Sequence, residues 1–143
     1  MPEVDFYVMS EPGDACVLRA ACRITEKAWE QGLTVYVLAR DDDEAARFDD
    51  LLWTLHAESF VPHERWNGTG SPTARITVGC THSPPATPEL LVNLGAPVPP
   101  WFRDCRRVAE FVGADAQPRE AGRQRYREYR EAGVELRTHE VQS

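Results

Sequence analysis

Five residues near the end of the chain have the types and the spacing to hold an anion. In "PREAGRQRYREYREAG", Arg119, Arg123, Tyr126, Arg127 and Arg130 fall within about 100° of arc when wound at the ~100° per residue of an α-helix. Four guanidiniums and one phenol then share a face, while Glu120, Glu128 and Glu131 point elsewhere. Two readings are open. Such a face can simply be solvated, or it can receive carboxylates, which convergent arginines hold in bidentate pairs. The net charge of −7 argues against a surface built to grip a phosphate backbone. Residues 103–137 nevertheless hold nine of the 16 basic side chains against seven of the 23 acids, a local balance of +2 in a remainder of −9. A short acidic peptide suits this distribution better than duplex DNA. Single strands are a weaker fit, because stacking bases need several aromatic partners and Tyr126 stands alone on that face.

A second stretch, "LLWTLHAESFVPHERW" (51–66), starts as the end of a helix and then carries Phe60, Val61, Pro62 and Trp66 into what reads as a loop. Pro62 pushes Val61 towards an extended backbone. Aromatic side chains on a loop can anchor a protein partner. They can equally fold back as a satellite cluster over a sheet edge, and pattern alone leaves both open.

These residues need a scaffold, and the hydrophobic pattern supplies one. "VDFYVM" (4–9) reads as a buried strand. Residues 14–30 read as a helix with Val17, Ala21, Ile24 and Ala28 on one face and Gly32 as its stop. "LTVYVLA" (33–39) is a second strand, and "RDDDEAARFDDLLWTL" (40–55) a second helix with acids in its first turn. Strands follow at 74–80, 90–95 and 106–112, with a turn or short helical bend at 96–102. The last helix runs from Pro118 at its first position to Gly133 just past its end. Alternating residues 134–141 read as an edge strand. Strand-helix alternation predicts one three-layer α/β domain over 1–143 with a mostly parallel sheet.

The chemistry such folds often carry is missing. "SEPGDAC" after the first strand has one glycine and no lysine, and Lys27, the only lysine, lies deep in the following helix, so no phosphate-binding loop is present. "NGTGSPT" (67–73) precedes a strand and lacks the third glycine of a dinucleotide fingerprint. No nucleophile elbow occurs, and no catalytic residue is assigned. Cys16, Cys22, Cys80 and Cys105 form no CxxC pair, and with His56, His63 and His82 they do not make a four-ligand metal set. No metal or cofactor is expected. The acidic run Asp41, Asp42, Asp43 and Glu44 leaves one alternative open, a small nucleotide- or metal-binding α/β enzyme, against its reading as a charged helix start. No apolar run reaches the ~20 residues of a membrane span, and the acidic N-terminus is unlike a signal peptide. A soluble, unexported protein without a membrane partner is expected.

The A-E-S-F-V-P-H block (57–63) and the "RQRYREYREAG" helix resemble the chi subunit of bacterial DNA polymerase III, with likeness over nearly the whole chain. The resemblance implies a Rossmann-like fold without a phosphate-binding loop and an accessory, non-catalytic role in DNA replication at the clamp loader. It implies two partner sites. One binds the psi subunit, or in competition a DNA-repair helicase, and maps to Trp53, Phe60, Val61 and Pro62. The other binds the acidic C-terminal tail of the single-stranded DNA-binding protein, which ends in an apolar residue with a free carboxylate. That site maps to Arg119, Arg123 and Tyr126 with Val112 and Thr138 beside them, and Arg127 and Arg130 would attract the tail's upstream acids. Arg119 stands where the family is expected to carry lysine. A cytoplasmic bacterial protein at replication forks is implied.

Overall fold

A continuous apolar run can be a strand only where both faces are covered, and that is how the first strand is used. The computed structural model describes residues 2–54, 60–80 and 83–142. Strand β1 (Glu3–Met9) leads into α1 (Asp14–Glu30), then β2 (Val35–Leu38) and α2 (Asp42–Thr54). After these come β3 (His63–Arg65), β4 (Ile76–Gly79) and β5 (Leu90–Asn93). A 3-10 turn (Pro100–Asp104), β6 (Arg107–Val112), α3 (Ala116–Glu131) and β7 (Glu135–Val141) complete the order. The seven strands form one sheet in the order β3-β4-β2-β5-β6-β1-β7, and every pairing is parallel.

Two apolar layers sandwich the sheet. Val17, Ala21 and Ala28 of α1 and Phe48 and Leu52 of α2 pack on Val35, Val37, Ile76, Val78, Val92 and Phe111. Ile24, on the same predicted face, is only partly covered. On the other side α3 and the 3-10 turn cover Val4, Phe6, Leu91, Val108 and Val112 with Tyr129 and Phe102. Cys16, Cys22 and Cys105 are buried and all four thiols are free. Burial pushes the Cys22 and Cys105 thiols up to about 12, so both are inert packing residues.

Three local expectations are corrected. Strand β3 was not foreseen, because three residues reading "HER" carry no apolar signal and become a strand only by pairing with β4. Helix α3 begins at Ala116, with Asp115 before it, so Pro118 is its third residue. Proline is tolerated there because the first N–H groups of a helix have no intrahelical acceptor. Strands β2, β4 and β5 are shorter than their apolar runs, whose flanks continue as loop.

The acidic run 41–44 opens α2. The Glu44 N–H donates to the Asp41 carboxylate at 2.8 Å, an N-terminal cap. Glu44, almost fully buried, accepts the Arg40 N–H and the Arg40 guanidinium, while Asp42 pairs with Arg65 and Asp43 with Arg47.

Strand β7 is fastened to β1 by charge. Asp5 is buried and accepts bonds from Arg137 Nε and His139 Nε2, each at 2.9 Å. Burial alone would raise the Asp5 carboxyl, but hydrogen bonds and charge from His139 and Arg137 outweigh it and hold it below the ordinary value. A depressed carboxyl adds stability above its unfolded value near ~3.9 and loses it as pH falls through the lower folded value. Asp5→Asn is therefore expected to flatten the acid limb of stability between about pH 5 and pH 2. Urea unfolding across that range checks this, and a parallel loss in both proteins would contradict it.

Candidate functional site

Strand alternation delivers the floor of the first site. Phe6 and Val8 of β1, Val112 of β6 and Thr138 of β7 lie on the face beneath α3, with Val8 beside Val112 and Phe6 beside Thr138 in register. Together with Arg119, Gly122, Arg123 and Tyr126 they line an open groove of about 220 Å³. Gly122 sets its depth. A methyl there would stand 2.7 Å from Val112 Cγ1, so only glycine lets the helix lie this close to the strands. Tyr126 packs edge-on against Phe6 with ring centroids 5.2 Å apart.

The rim is basic, and its two guanidiniums differ. Arg119 Nη2 donates to the Met9 carbonyl at 3.2 Å, while its Nε is buried without a partner. Arg123 is exposed and pairs with the Glu120 carboxylate at 3.3 Å, so Glu120 does not point away from the arginine face as the winding implied, because side chains three apart on a helix meet. Arg127 and Arg130 are exposed farther along α3, do not line the groove, and make no ion pair among the described residues. The structure thus gathers Val112, Arg119, Arg123, Tyr126 and Thr138 into one cleft and leaves Arg127 and Arg130 beside it.

Between these arginines along the sequence lies another whose side chain, at ~100° per residue, falls on the opposite side of the helix. Arg125 is buried, with Nε donating to Glu110 at 2.8 Å. Glu110, fully buried on β6, also accepts the Tyr129 hydroxyl at 2.6 Å and Asn93 Nδ2 at 2.8 Å. Burial and the Glu110 charge push the Tyr129 phenol far above its ordinary value, which keeps it a donor. This network clamps α3 onto β5 and β6 and so holds the groove in shape. Its one sequence signal was a lone glutamate at an inward position of the apolar strand "RVAEFV".

The second site lies where α2 ends. Trp53 and Phe60 are exposed, 42% and 68%, with ring centroids 5.2 Å apart. His63, buried beneath, meets Trp53 at 4.2 Å and is held by the Val61 carbonyl at 2.8 Å and Asp49 at 3.2 Å. Pro62 is half-buried. Val61 is 3% exposed and belongs to the core under α2, so its side chain offers no surface. Trp66 also leaves this cluster. It packs in the opposite layer and donates its Nε1–H to the Ser83 carbonyl. Residues 55–59, which include His56 and the A-E-S of the block, and His82 lie outside the described residues. Among the described residues no group of three or more His, Cys, Asp or Glu is placed to hold a metal ion, and no helix is long and apolar enough to cross a membrane.

Doubly wound sheets bind nucleotides in the crevice beyond the carboxyl ends of their strands. Here that crevice, about 210 Å³, is lined by Asp14, Arg40, Gly95, Gly113 and Pro118. The Gly13 N–H donates to Asp115 at 3.0 Å, and Arg40 is held by Glu44.

The family model described as "DNA polymerase III chi subunit, HolC" matches residues 1–137. The chain is 35% identical over 141 residues to the DNA polymerase III subunit chi of Pseudomonas aeruginosa, covering 99% of this chain and 98% of that protein. It is 27% identical over 143 residues to that of Escherichia coli K12, covering 96% and 97%.

Proposed function

The chain belongs to the DNA polymerase III chi subunit family, and from that premise we propose that it is a non-catalytic adaptor of DNA replication. It joins the psi subunit of the clamp loader, through Trp53 and Phe60, to the acidic C-terminal tail of the single-stranded DNA-binding protein, through the α3 groove. The observation that carries this reading is the groove itself, an apolar floor of tail-side-chain size under a rim of arginines. The terminal apolar side chain of the tail leaves water by entering the cleft. Its carboxylate meets the rim, which Arg119 and Arg123 line one turn apart on α3. Upstream acids are drawn to Arg127 and Arg130, which act on association rate and salt sensitivity more than on residence time. Two sites on one rigid body raise the effective concentration of the clamp loader at coated single strands. Neither site needs a cofactor, a metal or strong direct contact with nucleic acid. A DNA-repair helicase competing for the Trp53 surface would let the same tail site serve repair, and the working place of such a subunit is the cytoplasm, at the fork.

A synthetic acidic peptide ending in an apolar residue with a free carboxylate tests the tail site. Loss of a charge-assisted bond in Arg123→Ala is expected to weaken it about ten-fold, read by calorimetric titration. Equal affinities would remove the site.

A further inference from the structure

We propose that Glu120 is an internal competitor for the tail, occupying Arg123 while the groove is empty, so that a ligand must displace it. The inference rests on the tail-site reading above and concerns how that site chooses its ligand. Glu120 stands one turn before Arg123 on α3 and reaches its guanidinium at 3.3 Å. Both side chains are more than half exposed, 52% and 62%, so no packing fixes the contact and it can open. Arg119 is arranged the other way. Its Nη2 is spent on the Met9 carbonyl and its buried Nε has no partner. The rim therefore carries one guanidinium turned to a carbonyl of the chain and one already holding a carboxylate of the chain.

The chemistry of exchange follows. A ligand carboxylate that takes Arg123 must first break the Glu120 pair, which subtracts a part of what that contact would otherwise gain. The rest of the gain comes from the apolar side chain entering the cleft. A small carboxylate without an apolar group has no such gain, and an apolar terminus capped as an amide cannot release Glu120. Glu120 makes the site read both features together.

Titrating the tail peptide, as free acid and as C-terminal amide, into wild type, Glu120→Gln, Arg123→Gln and the double variant tests this. Removing the competitor from an exposed ion pair is expected to tighten the free-acid peptide roughly two- to five-fold, to leave the amide unchanged, and to have no effect once Arg123 is gone. An equal gain in the Arg123→Gln background would mean simple charge repulsion and would overturn the inference. No gain in Glu120→Gln, with wild type binding normally, would overturn it while the tail site stands. Failure of wild type to bind the free-acid peptide would instead bring down the tail-site reading itself.

Discussion

Glu110→Ala is expected to lower folding stability by about 3–5 kcal/mol, the usual result of breaking a buried ion pair from one side. Glu110 has no solvent exposure, and Arg125, Tyr129 and Asn93 all donate to it. Its removal leaves a buried guanidinium uncompensated and a buried hydroxyl without an acceptor, and each carries its own desolvation cost. Replacing both charges by apolar groups of similar volume, Glu110→Leu with Arg125→Met, should recover much of the loss, because that variant buries no unpaired charge. Urea denaturation of the single and double variants decides the matter. A loss below about 1 kcal/mol for Glu110→Ala, within the range of ordinary substitutions, would mean that the network does not hold α3. The binding consequence is indirect. The groove exists only while α3 lies against Val112, so peptide affinity in Glu110→Ala should fall in step with the folded fraction.

Phe60→Ala and Val61→Ala, neighbours in the chain, are expected to fail in opposite ways. Phe60 is 68% exposed and touches Trp53, so its loss should leave stability within about 0.5 kcal/mol of wild type. If it anchors psi, affinity should drop by about 2 kcal/mol or more, roughly thirty-fold. Val61 lies in the core beneath α2, and truncating it should cost about 1–3 kcal/mol of stability. Its effect on psi affinity should be small at temperatures where the variant stays folded. Denaturation curves and surface-plasmon titrations with psi read both quantities. A Phe60→Ala protein that binds psi as well as wild type would detach the aromatic edge from the clamp loader.

The two neighbours also show what local pattern could reach. Helix α1 runs over Asp14–Glu30 as its sequence predicts, because its apolar face and its Gly32 stop are encoded within a few turns. The α3 arginine face was legible for the same reason, since helical geometry alone decides which side chains share a side. The start of α3 was read two residues late, because Pro118 is a favourable signal at more than one position of a first turn.

The sequence by itself thus determined the strand-helix alternation, the absence of a phosphate-binding loop, and the set of cations that could face one ligand. Only the tertiary structure decided that Val61 turns inward while Phe60 stays out, that "HER" is a strand, and that Arg125 is spent on Glu110 rather than offered to a partner. It also decided that Gly122 lets α3 settle onto Val112 and so makes a cleft of a charged face. Periodicity is a property of a few consecutive residues, whereas coverage of a face depends on segments far apart in the chain, and no local pattern carries that information.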